Sequence, residues 1–191
     1  MTRALGRSFA GVALLAVLTG CVPALIVVGA GGTALVATDR RTTGTQVDDE
    51  GIELKIVNQA NAQYGDRIHL NVTSYNGIVL LTGEVPDEAA KANIANLAKN
   101  TVKVRIVQNE LVIAPNAELG PRTNDSYITS KVKARFVEAA RFPPNAVKVV
   151  TERGVVYLMG IVFRTEGDTA GEIAATTSGV VRVVKVFEYR S

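Results

Sequence analysis

After residue 48 the chain repeats itself, and an internal repeat constrains the fold more than any local pattern does. Asn76-Gly-Ile-Val-Leu-Leu-Thr-Gly83 matches Arg153-Gly-Val-Val-Tyr-Leu-Met-Gly160 at an offset of 77 residues. Val72 and Val149, and Val85 and Val162, keep that offset. Towards the ends it becomes 76, pairing Ile52 with Ile128 and Val104-x-x-Val107 with Val180-x-x-Val183. Helix–strand loops absorb such one-residue shifts. The segment from Ala114 to Asn124, with Pro115, Gly120 and Pro121, reads as the linker between two similar units.

Each unit has one local pattern. A helix (Asp48 to Gln63; Asp125 to Arg141) comes first, with Asn124 or Asp125 placed to cap the second copy. Two strands follow around a tight turn. Asn76-Gly77 is a strong hairpin pair because both residues tolerate positive φ, and Arg153-Gly154 is a weaker version of it. Gly83 and Gly160 end the second strand, and a second helix runs from Pro86 to Asn100 and from Thr165 to Ser178. A last strand covers Val104 to Ile113 and Val180 to Tyr189. The fold class is therefore α+β: αββαβ twice, with each unit's two helices on the one apolar face of a three-stranded mixed sheet.

The N-terminus carries a different message. Arg3 and Arg7 precede an apolar run from Phe9 to Leu18, and Leu18-Thr19-Gly20-Cys21 closes it, which is a secretory signal over residues 1–20. A cysteine directly after Leu-Thr-Gly resembles a bacterial lipobox. That resemblance implies an N-acyl diacylglyceryl group on Cys21, with palmitate as the acyl type, and no other cofactor. Cys21 is the sole cysteine, so no disulfide competes for it. Val22 to Ala37 is apolar and glycine-rich, just short of the roughly 20 residues that cross a bilayer. Its Gly29-Ala-Gly31-Gly32 cluster lacks the Gly-Lys-Ser/Thr ending of a phosphate loop. With the Thr-rich stretch from Thr38 it reads as a flexible tether, so residues 21–46 are lipidated cysteine plus tether, 47–113 the first unit, 114–123 the linker and 124–191 the second unit. Val22, not being Asp, fits sorting to the outer membrane.

The doubled unit resembles the BON domain. That family's signature is a strand ending in Leu-x-Gly-x-Val, a helix, and then Gly-Val-x-x-Val-x-Asn-x-Leu. Unit one shows Leu81-Thr-Gly83-Glu-Val85 and Val104-x-x-Val107-x-Asn109-x-Leu111, with Lys103 where glycine is expected, a departure that bears on that turn. Unit two shows Leu158-Met-Gly160-Ile-Val162 and Gly179-Val180-x-x-Val183, with Lys185 and Phe187 replacing Asn and Leu. Lipobox, tether, Gly44-Thr-Gln-Val-Asp-Asp49, two BON units and the block from Asn124 to Lys133 together resemble a class of dual-BON outer-membrane lipoproteins. The resemblance implies a non-enzymatic protein facing the periplasm and enriched at the division site. It implies that the first helix of unit two binds anionic phospholipid, chiefly phosphatidylglycerol, and that the protein is linked to the outer-membrane barrel-assembly machinery and to envelope integrity.

That helix can be read residue by residue. At 100° per residue Ile128, Val132, Phe136 and Ala139 share the core side. Tyr127, Ser130, Lys131, Lys133, Ala134, Val137, Glu138 and Arg141 lie opposite. Tyr127 has a polar tip suited to a headgroup boundary. Lys131, Lys133 and Arg141 attract anionic headgroups by about 1 kcal/mol each near the surface. The competing reading packs Tyr127 between the two units and leaves the lysines solvated, making the helix a protein–protein adaptor surface. Unit one's helix, acidic at its start and without an aromatic through Gln63, predicts that lipid binding is confined to unit two.

Other chemistry is thin. The formal charge is +3, and removing Arg3 and Arg7 with the signal leaves about +1, which gives no global case for nucleic acid. There is no Trp and a single His, His69, which falls in the first strand of unit one and reads as exposed or core. No serine sits in a Gly-x-Ser-x-Gly setting, no metal-ligand spacing is visible, and Asp48-Asp49 and Asp87-Glu88 sit at helix starts where capping explains them.

Overall fold

The computed structural model describes residues 39–114 and 119–191, with side chains in the second stretch from Thr123 onward. The signal peptide, Cys21 and the tether as far as residue 38 lie outside the described residues. So do residues 115–118 of the linker.

The repeat seen in the sequence is a repeat of structure. The first unit comprises α1 (Thr43–Tyr64), β1 (His69–Tyr75), β2 (Ile78–Val85), α2 (Glu88–Lys99), β3 (Ile106–Asn109) and β4 (Val112–Ile113). The second comprises α3 (Leu119–Ala139), β5 (Lys148–Glu152), β6 (Val155–Val162), α4 (Arg164–Ala175) and β7 (Arg182–Tyr189). β2 is the central strand of the first sheet, antiparallel to β1 and parallel to β3 and β4. β3 and β4 are one last strand in two pieces, since Leu81↔Asn109 and Glu84↔Val112 keep the same register. In the second sheet β6 is central, antiparallel to β5 and parallel to an unbroken β7. Among the described residues, no helix is long and apolar enough to cross a membrane.

Both hairpins turn through two positive-φ residues, Asn76 (52°) with Gly77 (74°) and Arg153 (52°) with Gly154 (75°). This is the primed geometry that matches strand twist. A buried carboxylate holds each turn. Asp49 accepts from the backbone N–H of Asn76 (2.8 Å) and Gly77 (2.9 Å), and Asp125 from those of Arg153 (2.7 Å) and Gly154 (2.8 Å). Neither aspartate is a helix cap, contrary to the expectation. α1 starts five residues before Asp48, capped by Thr42, whose hydroxyl oxygen accepts from Thr45 N–H, so the tether ends earlier than residue 46. α3 starts at Leu119, which absorbs the end of the linker and puts Asp125 inside the helix. Capping does explain Asp87, which accepts from Ala90 N–H at 2.7 Å at the start of α2.

Lys103, in place of the expected glycine, adopts φ 71°, as Gly179 does at 95° in unit two, so the turn keeps its shape. α3 ends at Ala139. Ala140 turns left-handed (φ 48°), and Pro143 and Pro144 bar continuation, so Arg141 lies beyond the helix that was expected to carry it.

Each unit has its own helix-on-sheet core. Ile52, Ile56 and Ala60 of α1 and Ile94 and Ala98 of α2 cover Val79, Leu81 and Val85. Ile128, Val132 and Phe136 of α3 and Ala170 and Ala174 of α4 cover Val156, Leu158 and Val162. The expectation of one apolar face per sheet is too narrow, because all eight residues of β2 are buried. The sheet's other face, with Tyr75 of β1 and Ile78 and Leu80 of β2, packs against Tyr157 and Met159 of the second sheet, so the two sheets stack back to back with helices outermost. Each such apolar side chain withdrawn from water contributes about 1.5–3 kcal/mol.

Candidate functional site

The register of α3 is fixed from inside. Asp125 grips the hairpin turn, and Ile128, Val132 and Phe136, all at most 1% exposed, fill the core at spacings of three and four. The sheets stack on their far faces, and the outer side of this helix is open at Tyr127 and Val137, each 62% exposed. Tyr127 does not pack between the units.

The expected site residues fall into two strips, roughly a quarter-turn apart on the helix. Tyr127, Lys131 and Ala134 make the first. Lys131 lies under the Tyr127 ring, its Nζ 4.6 Å from the ring centre, and donates to the Ser178 carbonyl. Its ammonium is therefore held at the base of Tyr127, where it stiffens the aromatic rather than reaching outward. Ser130, Lys133 and Val137 make the second. The Ser130 hydroxyl donates to the Ser126 carbonyl one turn back (3.0 Å). Lys133 and Val137 line a groove of about 380 Å³ with Pro144, Asn145 and Lys148 from unit two and Arg41 from across the molecule. Arg141 is exposed past the end of the helix and cannot be assigned to either strip. Ala139, expected in the core, is half-buried.

The segment just before α1 was not legible as part of the fold. Read as polar tether, it is pinned. Arg40 makes two bonds to Glu166 on α4 (2.6 and 2.7 Å) and one to the Ile161 carbonyl (2.8 Å). The paired Arg40 side chain holds the Glu166 carboxyl below the usual range, overriding the opposing effect of burial. Arg41 pairs with Asp39 (2.7 Å) and Asp49 (2.8 Å) and lies 4.0 Å from the centre of the Tyr75 ring. At Asp49, burial raises the pKa, but bonds from Ser74, Gly77, Arg41 and Asn76 together outweigh it and keep the carboxylate ionised below its ordinary range. Burial, with the Asp39 charge beside it, pushes the Tyr75 hydroxyl up to about 12.

His69 falls in β1 as expected, but it is neither simply exposed nor core. Its Nδ1 is 2.8 Å from Glu84 Oε2 and 4.0 Å from Glu152 Oε1. Three strands bring these residues together, β1 and β2 of unit one and β5 of unit two. No sequence spacing announces the cluster, because it exists only once the sheets stack.

The sequence matches the BON domain family over residues 48–115 and again over 124–191. It is 42% identical over 175 residues to outer membrane lipoprotein DolP of Haemophilus influenzae, covering 90% of each chain. It is 35% identical to a 21 kDa hemolysin of Actinobacillus pleuropneumoniae, covering 79% of each chain. To osmotically-inducible protein Y of Escherichia coli it is 28% identical, covering 78% of this chain and 76% of that one. Two family matches laid over two structural repeats, and a DolP-like likeness along nine-tenths of the length, make this chain a member of the BON family with two BON domains in tandem.

Proposed function

We propose that the protein is a non-enzymatic outer-membrane lipoprotein, anchored through acylated Cys21 and facing the periplasm, whose α3 reads anionic phospholipid such as phosphatidylglycerol. One observation carries this reading. Tyr127 and Val137 stand 62% exposed on a helix whose opposite face is fully buried, with Lys131 and Lys133 beside them. Burying an aromatic with a polar tip at the headgroup boundary, next to basic side chains, is how a shallow interfacial site gains affinity. Such a site is weak alone. A lipid anchor on the same chain multiplies it by holding α3 at high local concentration near the bilayer. Enrichment where anionic lipid gathers, including the division site, and support of envelope integrity follow from that selectivity.

The test is co-sedimentation of protein beginning at Thr38 with phosphatidylglycerol-containing vesicles and with neutral vesicles. Binding to the anionic vesicles alone, abolished by Tyr127→Glu with the circular dichroism spectrum unchanged, supports the reading. Equal or absent binding to both vesicle types overturns it. The same helix then becomes the interface of a protein–protein adaptor, for which the outer-membrane barrel-assembly machinery is the partner to try.

A further inference from the structure

We propose that His69, Glu84 and Glu152 form a zinc-binding site that joins the two BON domains. Each carboxylate has one oxygen held from behind and the other turned towards the imidazole. Glu84 Oε1 accepts from Arg153 (3.3 Å), while Oε2 is 2.8 Å from His69 Nδ1. Glu152 Oε2 accepts from Asn71 Nδ2 (2.8 Å), while Oε1 faces His69 Nδ1 at 4.0 Å. Outer partners that fix one oxygen and leave the other to the ion are the pattern of a supported metal site.

Charge and burial make the same case independently. The Glu84 side chain is 0% exposed and that of Glu152 is 8% exposed. Among the described residues, no donor comes within hydrogen-bond distance of Glu152 Oε1. Among the described residues, the arginine that reaches the pair is Arg153, which is half-exposed and bonds Glu84. Two buried carboxylates thus converge on one imidazole, and among the described residues Glu152 Oε1 is the carboxylate oxygen left without a partner, an arrangement that a bound cation would stabilise.

The dimensions suit a small divalent ion. The three ligand atoms lie within 4.8 Å of one another. A tetrahedral ion about 2.0–2.1 Å from each ligand sets them about 3.3 Å apart, and the 2.8 and 4.0 Å separations bracket that value. One imidazole nitrogen and two carboxylate oxygens are ligand types that zinc accepts, with a fourth position open for water. A cavity of about 250 Å³, lined by His69, Asn71, Glu152, Asp125, Thr129 and Thr151, gives the ion a way in and room for a water as fourth ligand.

The experiment titrates chelator-stripped full-length protein in detergent with ZnCl₂ by calorimetry at neutral pH, and follows thermal unfolding with and without the ion. The proposal expects one zinc per chain and a zinc-dependent rise in Tm. It expects both to weaken at least about tenfold in His69→Ala and in the isosteric Glu152→Gln. Glu152→Gln keeps the Asn71 side of the network, which guards against mere unfolding. Absence of saturable binding, or one-to-one binding that neither substitution changes, overturns the proposal. Neither result touches the lipid reading, since α3 is read by vesicles and not by zinc.

Discussion

α1 and α3 are one helix used twice. Asp49, Ile52, Ile56 and Ala60 point inward in the first, and Asp125, Ile128, Val132 and Phe136 do so in the second, at the same register. Their outward faces have parted. Where α3 carries Tyr127, Lys133 and Val137, α1 has Gly51, Val57 and Asn61. The exposed apolar residues of α1, Val47 and Leu54, stand among acids: Asp48 is paired to Lys103 at 2.6 Å, and Glu53 to Lys148 at 3.3 Å. The inner face is set by a sheet that both units share in design, so it tolerates little. The outer face answers to whatever it meets, and acidic side chains lack the attraction to anionic lipid that basic ones have.

The sharpest break in that comparison lies at the two turn-holding aspartates. Asp49 accepts from two turn N–H groups, the Ser74 hydroxyl (2.6 Å) and Arg41, whereas Asp125 accepts from two turn N–H groups. Leaving those donors unpaired in the interior is expected to cost about 3 kcal/mol for Asp49→Ala and about 2 kcal/mol for Asp125→Ala, read by urea unfolding. Equal costs would mean that the Ser74 and Arg41 contacts add nothing and that the two turns are held alike.

Next in size is the contrast between outer faces. Tyr127→Glu should abolish binding to phosphatidylglycerol vesicles, a loss of at least about tenfold, and Leu54→Glu on α1 should leave it within about twofold. A comparable loss from Leu54→Glu would show that lipid is read by both units.

Arg40→Ala tests whether the pre-helix segment belongs to unit two as much as to unit one. It should cost about 1 kcal/mol at pH 7. Pairing lowers the folded-state pKa of Glu166, so its contribution is complete above the unfolded carboxylate value of about 4.3 and is lost as pH falls through the lower folded value. Wild type and Arg40→Ala should therefore converge in stability on acidification below about pH 4, measured by thermal unfolding across pH.

The smallest effect has the opposite sign. Lys103 sits at φ 71° where unit two has Gly179 at 95°. Relieving that strain with Lys103→Gly should stabilise the protein by about 0.5 kcal/mol in chemical denaturation, less the weak exposed bond to Asp48.

The repeat, its turns and the inward face of each first helix were legible because they depend on local chemistry and on period: Asn76-Gly77 tolerates positive φ wherever it occurs, and Ile128, Val132 and Phe136 declare a helix face. What escaped was set by long-range partners. Asp49 and Asp125 look like caps until the hairpin comes back to them. Arg40 looks like tether until Glu166 arrives from 126 residues away. The full burial of β2 needed a second sheet that no single unit contains. For α3 the sequence placed Tyr127 and Val137 outward, as the structure does, but two prolines moved Arg141 off the helix and Ser178 drew Lys131 inward.

The pinned arginines also have a mechanical meaning. A pull on the chain from the N-terminal side of Asp39 does not reach the first turn of α1 directly. It meets Arg40 clamped on α4 of the second domain and Arg41 clamped on Asp49 of the first. The load is shared between the two domains at the point of entry, and α1 is spared from being peeled off its sheet from one end. A leash fastened to both halves of a body pulls on both at once.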